Sequence, residues 1–528
     1  MSKILMVHGY VLCGTGSNLY VRNIVRNLCE MGQDVVLVCQ EFTPEDYDFI
    51  ARHVAAKGDD FREVFERETP YPGKCEIYVP DTANELLVYV YDRYKDMLVQ
   101  EMKDVSEGEI QDYIRRNAAT IAHICAHNDI SKAYSNHLVL QPQYVAEGIK
   151  AACSKARHII IGHGSDLNYA ISKREYLDAL SRVTLASCDQ LVAVSHHSKQ
   201  AMQDYYDDLD LSACAVINAG LDEQLYGDMP LEEERLMLAA YIDAADQGHG
   251  FSAAQSKMIA EMVKQGSFDF AEVQASYEAK DIEVSIKDKL FDMLYVRDNQ
   301  KLVYLGKYLE QKGLIPLVLG LPFLYAHNPK INFILVGFGA FRAQLEYILQ
   351  LIKLDKLEVF FANARALGVN LEQDFKALEV LREFLLDPEN KALYQKGAAL
   401  LDTNTLFTGY FDQRYAVRVL HSAEVSIFPS IYPEAFGMVI IEAMAAKVKP
   451  LCTRHSGFKE TLETAASSIP GMSAEDFSVP LDEQILLSIV EKALALLSSD
   501  NKELTDQMSE FALNNYGWMG ITKKLMEL

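Results

Sequence analysis

The sequence is poor in several things, and each shortage excludes a class of protein. Its 528 residues include one tryptophan, Trp518, and nine cysteines that form no CxxC pair. The cysteines (Cys13, Cys29, Cys39, Cys75, Cys125, Cys153, Cys188, Cys214 and Cys452) are odd in number and sit mostly in apolar runs. That pattern argues against a disulfide framework or a cysteine-bound zinc, and for core thiols in a reducing, cytoplasmic compartment. Positive charge is scarce: 50 Lys and Arg stand against 75 Asp and Glu, a net charge of −25. A broad nucleic-acid or anionic-membrane surface is therefore not expected. Any phosphate site must be built from backbone amides and a few chosen cations. No apolar run is long enough to cross a membrane, so no transmembrane segment is expected. Ile4 to Cys13 is apolar, but it lacks a basic n-region beyond Lys3 and a small-residue cleavage site. It reads as a first strand, not a signal peptide. The third glycine of a GxGxxG fingerprint is missing as well. Gly14 and Gly16 are followed by Leu19, which disfavours a dinucleotide-dependent dehydrogenase.

What remains is ordinary globular material: 49% apolar and 24% charged, enough chain for roughly two to four domains. One stretch organises the rest, Val425 to Glu460. Val425-Ser426-Ile427-Phe428-Pro429 reads as a short buried strand. Ser430 to Gly437 is a turn-rich loop, and Met438 to Ala446 is an apolar helix. Val448 to Cys452 is the next strand, completing a parallel α/β unit. Glu434 lies in the loop, and Glu442 lies about one turn into the helix, leaning back toward its N-terminus. The amides of Gly437, Met438 and Val439 open that helix, where unpaired N–H groups and the dipole favour an anion. A phosphate on the amides, with a carboxylate on each side for hydroxyl groups, describes a sugar nucleotide. As isolated features, two glutamates at this spacing also suit an ordinary βαβ unit with solvated side chains.

The whole string, Glu434-Ala435-Phe436-Gly437 then Glu442-Ala443-Met444, preceded by Pro429-Ser430 and followed by the Gly457…Glu460 turn, resembles the E-x7-E signature of GT-B glycosyltransferases. The resemblance is closest to the retaining family 4 enzymes (glycosyltransferase group 1). It implies an α/β protein with two Rossmann-like domains facing a central cleft. The N-terminal, acceptor-side domain would span 1–225, with a closing helix at 515–528 carrying Trp518 as a packing residue. The nucleotide-sugar domain would span 297–514. The reaction implied is transfer of a hexosyl group from a nucleotide diphosphate sugar, UDP- or GDP-type, to an acceptor. It would proceed with retention, and with no metal or cofactor beyond the donor substrate. Two helical stretches fall outside the resemblance, the acidic 228–296 and 341–400. The first is expected to be a packing or homo-oligomer element.

Further motifs extend the resemblance. After a strand Lys3 to His8, the Gly14-Thr15-Gly16 loop corresponds to the family's glycine-rich donor loop. Asn18 stands nearest to its usual glutamate. Tyr134-Ser135-Asn136-His137-Leu138 resembles the segment that brings an Asn-His near the acceptor. His163-Gly164-Ser165-Asp166 follows the strand Arg157 to Gly162 and resembles the HG[ST]D segment, whose histidine lies against the donor sugar. Val216 to Asp222 resembles the end of the N-terminal domain, with Ala219 inserted between Asn218 and Gly220. Lys307 and Lys312 follow the strand Leu302 to Gly306 at the spacing of the family's basic pair. A departing nucleoside diphosphate gains charge as its bond breaks, and two cations stabilise it. Lys307 stands where arginine is common and lacks the bidentate fork. Gly337, after Phe333 to Val336, and Tyr410, after Leu406 to Gly409, are placed near the nucleotide, with Phe436 beside the sugar. The implied catalytic set is His163, Glu434 and Lys312. Two departures follow Glu442: Lys447 and Ser456 stand where glycine or a small residue is common. Residues 41–130 read as irregular connections and helices, except for a strand at Leu86 to Tyr91. One rival reading is a sugar-nucleotide binder of the same fold without turnover.

Overall fold

The computed structural model describes residues 2–14, 16–58, 60–90, 97–275 and 280–528. Thr15 of the glycine loop and Tyr91 of the expected strand lie outside them. The chain divides into two compact units, Met1–Asp222 with Tyr516–Leu528, and Glu223–Asn515.

The first unit is built on a nine-stranded sheet. Its order is Ala215–Val216, Gln190–Ala193, Arg157–Gly162, Ile130–Asn136, Lys3–Val7, Val35–Val38, Cys75–Val79, Ile50–Lys57 and Asp60–Glu66. All neighbours are parallel except the last pair. Val35–Val38 is buried at every position, which is why it reads as an unbroken apolar run rather than an alternation. The Ser17–Glu30 helix ends as read, with Gly32 just beyond it in the left-handed region at φ 79°. Trp518 opens the Trp518–Met526 helix and packs edge-on against Tyr20, ring centroids 5.3 Å apart. A Cβ on Gly220 would fall 2.8 Å from the indole, so the backbone after Ala219 is shaped to this ring.

The 41–130 region differs from expectation. Its described residues hold five strands, Ile50–Lys57, Asp60–Glu66, Cys75–Val79, Glu85–Val88 and Leu98–Glu101, before the long helix Glu107–His127. Ile50–Lys57 and Asp60–Glu66 form an antiparallel hairpin at the sheet edge. An edge hairpin need not be apolar. Here Arg52 reaches Glu63 at 2.8 Å and Glu76 at 3.1 Å, and these charges hide the strand pattern. The strand expected at Leu86 to Tyr91 is observed over Glu85–Val88.

The second unit carries a six-stranded parallel sheet in the order Thr405–Gly409, Ile331–Val336, Gln300–Leu305, Val425–Phe428, Lys449–Thr453 and Ser478–Val479. The strand order reverses between Gln300–Leu305 and Val425–Phe428. The loops leaving those two strands, 306–313 and 429–437, therefore meet at a topological switch point. The stretch 231–296 belongs to this unit. Its Leu231–Ala245 helix packs on Gln413–His421, and Ala253–Gln265 packs on Arg342–Lys353. Residues 341–400 are helical as read, with Arg342–Lys353, Leu357–Asn363, Glu372–Phe384 and Pro388–Ala398.

Lys447 and Ser456 have a structural meaning. Both have left-handed backbones, φ 62° and 51°, which is where glycine is favoured. Lys447 sits two residues past the Met438–Ala445 helix, and its half-exposed ammonium lies 3.3 Å from Asp506. Ser456 turns its hydroxyl to the backbone N–H of Glu434 at 2.9 Å, a bond glycine could not make.

Candidate functional site

In the second unit the switch point brings Glu434, Lys312 and their supports together. Gln300–Leu305 ends at Gly306, and the chain crosses Lys307 to a 3-10 turn at Glu310–Lys312. Gly313, at φ 68°, then opens the Leu314–His327 helix. A Cβ on Gly313 would sit 1.8 Å from the Pro429 carbonyl oxygen, so only glycine lets the two loops close. Lys312 Nζ donates to Glu434 Oε1 at 2.5 Å, and Ser430 Oγ donates to the same oxygen at 2.7 Å. Ser456 Oγ accepts the Glu434 amide, and the Glu434 carbonyl accepts Gly457 N–H at 2.9 Å. His455 Nε2 donates to the Ser430 carbonyl oxygen at 2.7 Å, bracing the loop from below. Burial pushes the Glu434 carboxyl up, but Lys312, Ser430 and His455 outweigh it and hold the group below the ordinary range. Glu434 is thus a fixed anion with one cation in contact.

Lys307 is placed differently. Its ammonium lies 5.6 Å from the centre of the Phe338 ring. Phe338 follows Gly337 and also meets the Tyr410 ring edge-on at 5.3 Å. Lys307, Gly337 and Tyr410 therefore gather at one spot, as Lys312 and Glu434 do at another.

The Met438–Ala445 helix begins after Gly437, an N-cap residue with no side chain of its own to cap the first turn. Gly437 has φ 148° and ψ 41°, so Phe436 and Met438 are joined by a backbone that a side chain would strain. Met438 and Val439 are partly exposed, while Phe436 is buried. Gly437 is buried with Phe436, and the amides that open the helix stand at its positive end. Glu442 lies one turn below, buried to 6% exposure, and its Oε1 accepts Gln413 Nε2 at 3.1 Å. Burial pushes this carboxyl up to about 7.

The Glu442 shift has a sign that can be tested. In the folded protein the group holds its proton to about pH 7, against about 4.3 in the unfolded chain. The raised carboxyl contributes its full stability below the unfolded value and loses it as pH rises through 7. Glu442→Gln, which cannot ionise, should therefore stabilise the ligand-free protein at pH 8 by roughly 1–3 kcal/mol. The gain should vanish at pH 4, where wild type is protonated in both states. Thermal unfolding at the two pH values measures the difference.

In the first unit, a buried histidine cluster lies at the carboxyl ends of Lys3–Val7, Ile130–Asn136 and Arg157–Gly162. Asn136 Nδ2 donates to the Val7 carbonyl oxygen at 3.0 Å, which turns its Oδ1 to His163 Nε2 at 2.9 Å. His163 is thereby the tautomer protonated on Nε2. Burial, with His8 nearby, lowers it to about 3. The ring is neutral, a hydrogen-bond partner rather than a cation. His137, at φ 68° and wholly buried, packs at a tilt against His163, ring centroids 4.9 Å apart. Asp166 accepts the Leu138 amide, and burial raises it to about 6. Gly14 and Gly16 have φ 102° and 59°. Asn18 donates to the Cys13 carbonyl oxygen at 2.6 Å and meets His8 Nε2 through its Oδ1 at 2.9 Å. A glutamate here could not donate to that carbonyl, so the asparagine is what pins the loop.

Reading the sequence missed Gln413 and the support roles of Ser430 and His455. Ser430 was legible only as part of the Pro-Ser pair before the loop. Gln413 has no motif to mark it.

Comparisons with known proteins bear on this geometry. The model of the family "Glycosyl transferases group 1" matches residues 387–486, the stretch that carries Tyr410, Gln413, Glu434 and Glu442. The lipopolysaccharide 1,2-N-acetylglucosaminetransferase of Salmonella typhimurium is 25% identical over 171 residues, 30% of this chain. The match spans 43% of that relative, less than half its length. Among solved structures, Anabaena HepE in complex with UDP and glucose is 14% identical, with a TM-score of 0.54 over 100% of this chain and 99% of its own. Sucrose-phosphate synthase from Thermosynechococcus elongatus is 14% identical, with a TM-score of 0.51 over 100% and 98%. The fold is GT-B. At these identities the structural likeness concerns the fold alone, and the GT-B frame places the group 1 match on its C-terminal unit. No described helix is long and apolar enough to cross a membrane, and no described group of His, Cys, Asp and Glu could hold a metal ion.

Proposed function

We propose that this GT-B protein transfers a hexosyl group from a nucleotide diphosphate sugar to an acceptor. The observation that carries the reading is the Lys312–Glu434–Ser430 network at the switch point, with Glu442 and a helix that starts on Gly437 in the stretch that matches group 1 glycosyltransferases. The anionic Glu434 accepts hydroxyl hydrogen bonds from the hexose. Lys312, with Lys307, faces the diphosphate and stabilises the charge that develops as the sugar–phosphate bond breaks. These cations supply that charge in our reading without a metal. The 437–439 amides take a phosphate oxygen, and Glu442 takes the ribose hydroxyls. In the first unit, neutral His163 is read, on the resemblance of its His-Gly-Ser-Asp string, as a hydrogen-bond partner for a sugar. Retention at the anomeric carbon is part of the proposal and rests on the likeness of the Glu434–Glu442 string to retaining enzymes. A UDP-hexose is the first donor to try, since HepE was solved with UDP and glucose.

The test is a thermal-shift screen with UDP, GDP, ADP and their glucose, mannose and N-acetylglucosamine conjugates, on wild type and Glu442→Ala. A ligand-specific rise, reduced in the variant, supports the donor site, because a ligand that binds only the folded chain raises its stability. No rise with any nucleotide overturns it. A rise without sugar transfer or donor hydrolysis would mark a binder without turnover.

A further inference from the structure

The stretch 228–296 carries none of the family's motifs, yet it grips one short loop of the second unit from two sides. That loop, Gly409 to Tyr415, leaves the edge strand Thr405–Gly409 and enters the Gln413–His421 helix. From one side comes Tyr241 of the Leu231–Ala245 helix. Its Oη accepts the Asp412 N–H at 3.1 Å and donates to the Tyr410 carbonyl oxygen at 3.4 Å. Its ring stacks on Tyr415, centroids 3.8 Å apart and planes 10° from parallel, and meets Phe411 edge-on at 5.3 Å. From the other side comes the segment 281–283. Ile282 bridges Gly409 antiparallel, with Tyr410 N–H donating to Asp281 O at 3.0 Å and Glu283 N–H to Thr408 O at 2.8 Å. The approach is so close that a Cβ on Gly409, itself at φ 75°, would lie 2.5 Å from the Asp281 oxygen.

The loop so held leads directly to Gln413. Asp412 caps the Gln413–His421 helix through its side chain, accepting Arg414 N–H at 3.2 Å, while its own N–H is held by Tyr241. Gln413 is the first residue of that helix, and its amide reaches Glu442. We propose that the 228–296 stretch is a clamp on the nucleotide side of the donor site, and that Tyr241 is a positioning residue acting through Gln413 on Glu442. The Gln413 amide occupies Glu442 Oε1 and fixes the carboxyl rotamer, so that Oε2 is presented to the ribose hydroxyls. The inference rests on the reading of Glu442 as the ribose contact.

Binding of UDP, GDP and ADP to the full chain, measured by calorimetry, selects the nucleotide. That nucleotide and its 2′-deoxy and 3′-deoxy forms are then measured on wild type, Tyr241→Phe, Gln413→Ala and the double variant. Wild type should prefer the full ribose by about tenfold over at least one deoxy form, the usual size of a hydrogen bond to a charged group. Tyr241→Phe keeps the ring stack on Tyr415 and removes only the two loop bonds. It should cut the preference at least threefold, as should Gln413→Ala, and the double variant should match Gln413→Ala alone because the two act in series. Tyr241→Phe with the wild-type preference overturns the clamp. So does weaker binding of all forms with the preference intact, or additive losses in the double variant. If Tyr241→Phe is unfolded by circular dichroism, Gln413→Ala decides, and an unchanged preference there overturns the proposal. Wild type that binds none of the three nucleotides overturns the proposed function as well, which separates the two failures.

Discussion

Lys312→Ala should lower kcat/KM for the donor by about 10²- to 10³-fold, the usual loss when one preorganised charge facing a developing charge is removed. Lys307→Ala should lose on the order of tenfold, close to the ~1 kcal/mol of a solvated charge interaction. The difference follows from placement. Lys312 Nζ sits 2.5 Å from Glu434 Oε1, fixed by a turn that Gly313 allows to close on Pro429. Lys307 rests over the Phe338 ring. Removing Lys312 has a second effect, because it strips the partly buried Glu434 carboxyl of the cation in contact with it. Burial then pulls that carboxyl toward its protonated form, leaving an O–H donor where the hexose should meet an anion. Lys312→Arg restores a charge but offers a planar fork in place of a compact ammonium, so it should recover only part of the rate. Steady-state kinetics with the donor identified in the thermal-shift screen measures all three. Equal losses at 307 and 312 would show that the diphosphate does not distinguish the two cations.

How much of this could be read in the chain depends on how each feature is encoded. The Val425–Phe428 strand, the Met438–Ala445 helix and the Lys449–Thr453 strand were legible because strands buried on both faces must be apolar throughout. The two carboxylates stand out against such a background. The Ile50–Lys57 and Asp60–Glu66 hairpin was not legible, because an edge pair trades apolar alternation for cross-strand charges such as Arg52–Glu63. Lys447 and Ser456 were visible as departures from a glycine preference. Only the backbone angles show that both carry the left-handed conformation a glycine would adopt freely, and that Ser456 spends its hydroxyl on Glu434. His163 was placed at its strand end correctly, but its neutrality comes from burial and from the orientation of Asn136, neither of which is written locally. Gln413 was invisible for the same reason. Its meaning lies in Glu442, 29 positions away.

Arg342→Ala should destabilise the second unit by about 3–5 kcal/mol, the cost of leaving a buried charge without its partner. Arg342 is 4% exposed. Its Nη2 donates to Glu283 Oε2 at 3.0 Å and its Nε to Glu283 Oε1 at 2.5 Å, while Nη1 reaches Glu346 at 3.3 Å. The guanidinium is sandwiched between Phe251 and Phe407, its carbon 4.0 and 3.8 Å from the two ring centres. Burial alone already raises Glu283, and Arg342 offsets part of that. Removing the arginine exposes the full desolvation cost of two carboxylates and opens a void between two rings. Since a folded domain commonly keeps only about 5–15 kcal/mol of stability, such a loss is a large share of it. Urea unfolding followed by far-UV circular dichroism measures the shift. Adding Glu283→Gln to Arg342→Ala should return part of the loss, because the stranded charge, more than the missing contact, is the penalty. The recovery would also locate the effect. Glu283 belongs to the segment that bridges Gly409, so the same ion pair that stabilises the core anchors the strand held against the Gly409–Tyr415 loop. If the double substitution restores stability but leaves nucleotide binding weak, the anchoring role of Arg342 is separated from its contribution to the core.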